Sequence, residues 1–391
     1  MAADFNFDIL HERRGTDCSK WDTTESGVLP LWVADMDFCS PPEVVEALQE
    51  AVQAGIFGYP NFGTQVQETV ADWLHARHGW EINPESVVPV PGVVTGFNLS
   101  ANAVAQPGDG VLIQPPTYGP FLGVAKNFNL VQQEAQLTQG PDGQYQVDLD
   151  AFEAAITPET RIFMLCNPQN PTGRVFTRQE LESMADICLR HGVTICSDEI
   201  HSDLVFSGHT HLPVASLDPS ISEHTITLVA PSKTFNIAGL KASAAIIENP
   251  DLRKQFNASR QGMVGFVNSL GIVALLAAYQ HGAPWLDALL TYLEENRDLT
   301  VQFVRERLPG VQVNVPEGTY LAWLDCREAA FDSSDRGQIN SFFEQHAKVA
   351  LNEGRWFGSG GEGFVRLNFG CPRAILMEAL GRMEAALKQN F

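Results

Sequence analysis

Apolar and polar residues follow two different periods along the middle of the chain, one typical of buried strands and the other typical of helices. Short apolar runs rich in β-branched residues predict strands over residues 86–90, 111–114, 161–165, 194–197, 225–229 and 242–247. Helical patterns over residues 95–105 and 178–191 lie between these strands. Because alternating strands and helices build parallel sheets that are covered on both faces, we predict an α/β fold with a mainly parallel sheet between helices.

Helical patterns also flank this region on both sides. On the N-terminal side, an amphipathic helix is predicted to begin at Pro42, with Ser40 as its N-cap and Gly55 closing it. On the C-terminal side, a long helical pattern runs from about residue 269 to residue 308 and is interrupted around residues 282–284. The strand region is therefore expected between two helical regions.

The length of the chain bears on its division into domains. Its 391 residues exceed the size at which one hydrophobic core usually stops growing, so we expect two domains. Residues 1–45 are predicted to form an irregular arm, because they are rich in Pro, Asp and aromatic residues. We predict a large domain of residues 46–285 that holds the sheet, and a small α+β domain of residues 286–391 with the arm packed near it.

Charge and cysteine content exclude several classes of partner and site. The formal net charge of −22 repels phosphate backbones and anionic lipids, so we expect neither nucleic acid nor a membrane as a partner. The N-terminus lacks a signal-peptide pattern and no apolar run is long enough to span a bilayer, which predicts a cytoplasmic protein. The seven cysteines form no Cys-x-x-Cys pair, so we expect reduced thiols and no metal site.

Polar residues follow three of the predicted strands at the points where the strands end. Asn170 follows one strand, Asp198 ends the next, and Lys233 follows a third. Ligands of open α/β sheets bind at the carboxyl ends of the strands, so these residues are candidates for one site. A lysine flanked by apolar residues loses solvation, which lowers its pKa and makes its amine a usable nucleophile. Taken singly, the same residues are also compatible with a turn, a helix N-cap and a surface lysine.

Several motifs together carry a resemblance to a known family. They are Trp-Val-Ala-Asp-Met-Asp-Phe (32–38), Asn-Pro-Gln-Asn-Pro-Thr-Gly (167–173), Asp-Glu-Ile-His (198–201), Ser-Lys-Thr-Phe-Asn-Ile-Ala-Gly-Leu (232–240) and Arg-Leu-Asn-Phe-Gly-Cys-Pro (366–372). In this order they resemble the class I and II aminotransferase superfamily of pyridoxal-phosphate enzymes, and within it the MalY/PatB group of cystathionine β-lyases. The resemblance implies the type I fold of pyridoxal-phosphate enzymes, with a mainly parallel seven-stranded sheet in the large domain and a smaller α+β domain.

The resemblance also implies a cofactor, a small amino-acid substrate and a reaction. Pyridoxal 5'-phosphate is the expected cofactor, and the expected reaction is β-elimination of L-cystathionine or related L-cysteine S-conjugates to a thiol, pyruvate and ammonia. Lys233, Asp198 and Tyr118 are the implied catalytic residues: Lys233 carries the cofactor as a Schiff base and then acts as general base, Asp198 pairs with the pyridine nitrogen, and Tyr118 stacks on the ring. Asn170 donates to the phenolic oxygen. His201, also assigned to the cofactor site, stands where aminotransferases usually present Tyr, which favours the lyase group.

A phosphate site is predicted between a strand and a helix. The main-chain amides of Gly92, Val93 and Val94 lie at that turn, and the dipole of the following helix favours an anion there. By the resemblance, Ser232 supplies a hydroxyl and Lys241 a cation to the same phosphate. Many relatives use Arg at the place of Lys241, and a lysine lacks the bidentate grip of a guanidinium.

Two further residues are assigned by the resemblance alone. Tyr59 is similar to a tyrosine that reaches the phosphate from the neighbouring subunit, which implies a homodimer with shared active sites. Arg366 is similar to the arginine that binds the substrate α-carboxylate.

Three functions remain open at this stage. The lyase is the first choice, and an aminotransferase that uses the same cofactor is the alternative. A third hypothesis is a regulatory protein of this fold that acts through protein–protein contact.

Overall fold

The computed structural model describes residues 5–140, 143–329, 331 and 338–389 of the chain. The α-helices are α1 (Ser19–Asp22), α2 (Pro42–Ala54), α3 (Gln65–His78), α4 (Val93–Val104), α5 (Gly119–Phe128), α6 (Leu149–Ala154), α7 (Arg178–His191), α8 (Pro219–Ser222), α9 (Pro231–Thr234), α10 (Pro250–Ser259), α11 (Ser269–His281), α12 (Ala283–Arg307), α13 (Ile339–Phe342) and α14 (Arg373–Gln389). Short 3₁₀ segments lie at Pro84–Ser86, Val214–Ser216, Ala238–Leu240 and Gly354–Phe357, and a π-helical segment lies at Phe343–Ala347.

The strands are β1 (Leu29–Pro30), β2 (Val87–Val90), β3 (Gly110–Ile113), β4 (Val131–Glu134), β5 (Thr138–Gln139), β6 (Tyr145–Gln146), β7 (Thr160–Cys166), β8 (Thr194–Asp198), β9 (Thr225–Val229), β10 (Ser243–Ile246), β11 (Gln312–Val313), β12 (Leu321–Asp325), β13 (Val349–Ala350), β14 (Asn352–Glu353) and β15 (Phe364–Asn368). Seven of them form one sheet in the order β2-β10-β9-β8-β7-β3-β4. The five strands from β9 to β4 run parallel, whereas β10 runs antiparallel to both of its neighbours. The predicted α/β class with a mainly parallel seven-stranded sheet is therefore confirmed.

Both faces of this sheet are buried under helices. On β7, Ile162 and Met164 belong to an apolar cluster with Phe97 of α4. Phe163, between them, belongs to a second cluster with Met184 of α7. Successive side chains of a strand point to opposite faces, so a strand covered on both faces reads as one continuous apolar run.

A second sheet and a short pairing with the arm lie toward the C-terminus. The antiparallel sheet has the order β11-β12-β15-β14. In the arm, β1 pairs in parallel with β13, so that Leu29 lies opposite Val349. Helix α12 crosses the predicted boundary between residues 285 and 286. The division into an arm, a large domain and a small domain remains a prediction.

Predicted and observed elements agree closely where the apolar pattern is strong. Both predicted internal helices and all six predicted strands lie within two residues of the observed ones, and the long helical pattern is interrupted at Gly282, between α11 and α12. The seventh strand, β4, was not among the predicted strands. Its residues Val-Gln-Gln-Glu are mostly exposed at the edge of the sheet, so they lack the apolar pattern by which strands are recognised.

The start of α2 corrects one expectation. Pro41 occupies its N-cap position without a side-chain hydrogen bond, and the Ser40 hydroxyl donates instead to the Asn236 carbonyl (3.3 Å). The prediction of a Ser40 cap was therefore wrong. Gly55 ends the helix in the left-handed region (φ 70°), as predicted.

Among the described residues, no helix combines the length and the apolar character that a bilayer span requires.

Candidate active site

The carboxyl ends of β7, β8 and β9 meet at one edge of the sheet, and a cavity of about 320 Å³ opens there. Asn170, Asp198 and Lys233 all line it, as their positions after these strands predict. The other predicted site residues that line the same cavity are Gly92, Val93, Val94, Tyr118, His201, Ser232, Lys241 and Arg366. Of the predicted site residues, Tyr59 alone does not line this cavity.

Lys233 lies in the short helix α9, which begins directly after β9 with a proline in its first turn. Its Nζ donates to the main-chain carbonyl of Ala34 (2.6 Å). Burial, and next the nearby charge of Arg366, lower the pKa of Lys233 to about 8. A larger fraction of this amine is therefore neutral near physiological pH than of an exposed lysine, which suits it to nucleophilic and base chemistry.

Asp198 is a buried carboxylate at the end of β8. Its Oδ1 accepts from the main-chain amide of Ile200 (3.1 Å), and no lysine, arginine or histidine of the described residues lies within ion-pair distance. Burial raises the pKa of Asp198 to about 7, although the Ile200 amide and the charge of Lys233 act in the opposite direction. A buried charge is stable only when it is paired, so this carboxylate calls for a cationic N–H donor in the cavity.

The turn before α4 has the features of an anion site. Gly92 has a φ of 102°, which favours glycine, and a Cβ on it would lie 3.8 Å from Lys241 Cδ. The amides of Val93 and Val94 belong to the first turn of α4, where N–H groups have no partner within the helix.

The Gly92 amide differs from the expectation. It already donates to the Val90 carbonyl (2.8 Å) and to the Ser243 hydroxyl (3.1 Å). It therefore shapes the turn and leaves the amides of Val93 and Val94 for an anion. This bond could not be foreseen, because Ser243 lies on β10, which pairs with β2 only in the folded sheet.

Arg366 is buried on β15 and is held by three acceptors. Its Nη1 donates to Asn170 Oδ1 (2.9 Å), and its Nη2 donates to Asn352 Oδ1 (2.6 Å) and to the Trp32 carbonyl (2.8 Å). Its Nε has no hydrogen-bond partner among the described residues. Burial lowers the pKa of Arg366 to about 10. The guanidinium is thus oriented, remains charged at neutral pH and keeps a free donor, which fits the binding of a carboxylate.

Tyr118 and His201 complete the predicted set that lines the cavity. Tyr118 is the N-cap residue of α5, and burial together with the charge of Asp198 raises the pKa of its hydroxyl. His201 is buried, with its ring 5.9 Å from the Tyr320 ring in an edge-on arrangement. Burial, Lys233 and Arg366 lower the pKa of His201 well below its ordinary value, so its imidazole is neutral.

Tyr59 lies in an irregular segment between α2 and α3 and is not among the residues that line this cavity. Its side chain is 97% exposed, and Ile56 and Phe57 beside it are also exposed. The chain therefore does not bring Tyr59 to its own cavity.

Ten further residues line the cavity without having been predicted individually, and Trp32, Thr95 and Asn352 are among them. Trp32 begins Trp-Val-Ala-Asp-Met-Asp-Phe (32–38), one of the motifs that carry the family resemblance. Asn352 gives no signal in the sequence, because its position follows from the register in which it lies opposite Arg366 between β14 and β15. Thr95 follows the predicted turn and donates its hydroxyl to the Pro91 carbonyl (3.2 Å).

These residues fit pyridoxal phosphate. Lys233 offers an amine for a covalent bond, and Asp198 offers an unpaired buried carboxylate for a protonated ring nitrogen. The start of α4 with Ser232 and Lys241 offers donors and positive charge to a phosphate.

Comparison with known proteins agrees with this fit. The model of the family Aminotransferase class I and II matches residues 26–383. The chain is 44% identical over 390 residues to cystathionine beta-lyase PatB of Bacillus subtilis (strain 168), covering 98% of this chain and 100% of that protein. It is 36% identical over 396 residues to protein MalY of Escherichia coli (strain K12), covering 98% and 99%. A solved structure, the PLP-bound C–S lyase from Staphylococcus hominis, superposes with a TM-score of 0.94 at 33% identity, covering 99% of this chain and 100% of that one.

Proposed function

Since this chain is a member of the class I and II aminotransferase family, we propose that it is a pyridoxal-phosphate-dependent carbon–sulfur β-lyase. It cleaves L-cystathionine or related L-cysteine S-conjugates. One conjugate and one water give a thiol, pyruvate and ammonia. The proposal rests on one observation above all: a half-buried amine, Lys233, and an unpaired buried carboxylate, Asp198, line the same cavity. The choice of a lyase follows from the full-length likeness to a cystathionine β-lyase and a C–S lyase.

The chain's own residues hold the cofactor in this proposal. Lys233 forms the covalent bond, Asp198 keeps the ring nitrogen protonated, and Asn170 donates its amide to the phenolic oxygen while its Oδ1 accepts from Arg366. Tyr118, which lines the cavity, would pack against the ring. His201 lines the same cavity in its neutral form and so adds no third cation beside Lys233 and Arg366.

The phosphate of the cofactor is bound at the start of α4. The amides of Val93 and Val94 donate to it, Gly92 sets the turn, and Ser232 and Lys241 supply a hydroxyl and a positive charge.

Arg366 and Lys233 act on the substrate. Arg366 binds the α-carboxylate and so fixes the α-carbon. The substrate amine would take the place of Lys233 on the cofactor, which breaks the covalent bond to Lys233 and releases its neutral amine to remove the α-proton as general base. When bound, the cofactor accepts the electrons of the broken Cα–H bond. The thiolate then leaves from the β-carbon, and the proton held on Lys233 Nζ, or a water, neutralises the departing sulfur.

A homodimer completes the proposed site. Tyr59 is almost fully exposed and lies outside its own chain's cavity, while Ile56 and Phe57 next to it expose large apolar side chains. Such a surface is suited to contact with a second copy, in which Tyr59 would reach the phosphate of the partner subunit.

An aminotransferase is the second candidate, because the family that matches the chain is described by that activity. The same residues serve both reactions up to removal of the α-proton. A transaminase then returns a proton to the cofactor and needs a keto acid, whereas a lyase releases the β-substituent and needs none.

Supplying L-cystathionine without a keto acid separates the two candidates. The lyase should form pyruvate, ammonia and homocysteine in equal amounts, and the variant Lys233→Ala should form none of them. Fast amino transfer from aromatic, aspartate or alanine donors, with negligible pyruvate from any conjugate, would overturn the lyase and leave the cofactor assignment standing.

A further inference from the structure

Five successive main-chain carbonyls, those of residues 32–36, each accept a hydrogen bond from a side chain. We call these residues the wall segment, because the first three line the cavity. The donors are Arg366 to Trp32 (2.8 Å), Asn368 to Val33 (2.6 Å), Lys233 and Tyr320 to Ala34 (2.6 and 2.8 Å), Asn368 and Lys20 to Asp35 (2.6 and 3.2 Å), and Asn236 and Arg13 to Met36 (2.9 and 3.1 Å). The backbone on either side of Ala34 is therefore fixed by side chains from distant parts of the chain.

Asn368, the last residue of β15, holds the carbonyls on both sides of Ala34. Its Nδ2 donates to Val33 and to Asp35, and its Oδ1 accepts from the main-chain amide of Gly370 (2.7 Å). These partners determine which amide atom is nitrogen, because a carbonyl only accepts and an N–H only donates. The side chain is 1% exposed. Asn368 therefore uses both hydrogens of its amide to set the path of the backbone at Ala34.

The Ala34 carbonyl, in turn, touches the reacting group. It accepts from Lys233 Nζ, the amine that the proposed function assigns to proton transfer. We propose that Asn368 is a positioning residue for Lys233, which acts by holding the Ala34 carbonyl where it accepts from the Lys233 amine; this inference rests on the proposed function.

The physical effect of such a carbonyl depends on the protonation state of the amine. A carbonyl binds an ammonium through a charge-assisted hydrogen bond that is stronger than its bond to a neutral amine, so it favours the protonated form. Burial, Arg366 and Lys241 favour the neutral amine of Lys233, whereas Asp35 and Asp198 favour the ammonium. By stabilising the ammonium, the Ala34 carbonyl keeps the pKa of Lys233 near the pH at which it must both take up and return a proton.

The variant Asn368→Ala tests this role. Loss of both amide hydrogen bonds releases the carbonyls of Val33 and Asp35 and leaves Tyr320 as the remaining support of the Ala34 carbonyl, so the pKa of Lys233 should fall from about 8 to about 7. The pKa is measured on the full chain after removal of the cofactor, by competitive acetylation with acetic anhydride over a range of pH and mass spectrometry of the Lys233 peptide. In the cofactor-loaded enzyme, kcat should fall about tenfold with little change in KM.

Asn296→Ala is the matched control. Asn296 is also fully buried, and its Nδ2 also bridges two carbonyls, those of Phe369 and Cys371 (3.1 and 2.9 Å), which lie outside the wall segment. This variant should leave the pKa of Lys233 near 8. If Asn368→Ala does not fold, Asn368→Leu keeps the side-chain volume without the donors and should give the same fall.

Two outcomes would overturn the inference: an unchanged pKa of Lys233 in the Asn368 variant, or an equal fall in both variants, which would reflect general loosening. The labelling experiment needs neither cofactor nor turnover. Its result therefore does not depend on whether cystathionine yields pyruvate, and that second measurement is the one that tests the proposed function.

Discussion

The cavity is built from two groups of residues that differ in how the chain brings them together. The strand-end group, Asn170, Asp198 and Lys233, follows adjacent parallel strands of one sheet, and each residue lies within a few positions of the strand that places it. The arm group consists of the wall segment with Asn352 and Arg366. Arg366 joins the N-terminal arm to the antiparallel sheet through its hydrogen bond to the Trp32 carbonyl, 334 positions away.

The difference shows how the two tasks of the proposed enzyme are separated. The strand-end group places the charge and the amine that a cofactor needs at the carboxyl edge of the buried sheet. The arm group contributes Arg366, which is proposed to bind the substrate carboxylate, and a row of carbonyls, and its geometry depends on long-range hydrogen bonds. Variants of the strand-end group should therefore impair chemistry, and variants of Arg366 and Asn352 in the arm group should impair substrate binding.

Asp198→Asn is expected to have the largest effect. An amide cannot stabilise a protonated pyridine as a carboxylate does, so kcat should fall about 10²- to 10³-fold. The variant should still bind the cofactor, because Lys233 and the phosphate site are unchanged. Steady-state kinetics and the absorbance of the bound cofactor measure the two effects separately. Turnover close to that of the wild type would mean that Asp198 only accepts the Ile200 amide as a turn residue.

Arg366→Lys should have a smaller effect of a different kind. A lysine keeps the positive charge but cannot reach Asn170, Asn352 and the Trp32 carbonyl while it also binds a carboxylate. We expect KM to rise about 10- to 100-fold with a smaller change in kcat, and an unchanged cofactor spectrum. Asn352→Ala, which removes one acceptor from the guanidinium, serves as the milder companion variant. A fall in kcat at unchanged KM would place Arg366 with the strand-end group and would erase the distinction between the two groups.

The same difference explains how much could be predicted from the sequence. Asn170, Asp198 and Lys233 were predictable because a residue that ends a parallel strand has a known place at the edge of the sheet. Asn352 was not, because it lines the cavity only through its register opposite Arg366. The role of the Ala34 carbonyl has no signal in the sequence at all, since every residue carries a carbonyl and only the folded arm brings this one to Lys233.

The fold divides in a similar way. Strands buried on both faces, such as β7 and β9, have continuous apolar runs and were predicted within one residue of their bounds. The edge strand β4 was not predicted. It pairs with β3 on one side only and its residues are mostly exposed, so its sequence does not need to be apolar. The Ser40 cap failed because Asn236, 196 positions away, competes for the hydroxyl.

Tyr59 belongs to neither group within one chain, and it gives the smallest and most specific prediction. Its hydroxyl is proposed to donate to the cofactor phosphate of the partner subunit, so Tyr59→Phe should weaken cofactor binding about tenfold, which matches the loss of one hydrogen bond to a charged group.

Hybrid dimers show which subunit's tyrosine is used. When a Tyr59→Phe subunit pairs with a Lys233→Ala subunit, the only site that keeps Lys233 lies in the Tyr59→Phe chain but receives an intact Tyr59 from its partner. That site should bind the cofactor with wild-type affinity. In the reciprocal hybrid, a wild-type subunit pairs with a subunit that carries both substitutions, and the site that keeps Lys233 should bind about tenfold more weakly. Affinity is measured from activity against cofactor concentration after tagged hybrids are purified. The opposite assignment of the two affinities would show that Tyr59 serves its own chain's site, and equal affinities in both hybrids would remove Tyr59 from the cofactor site.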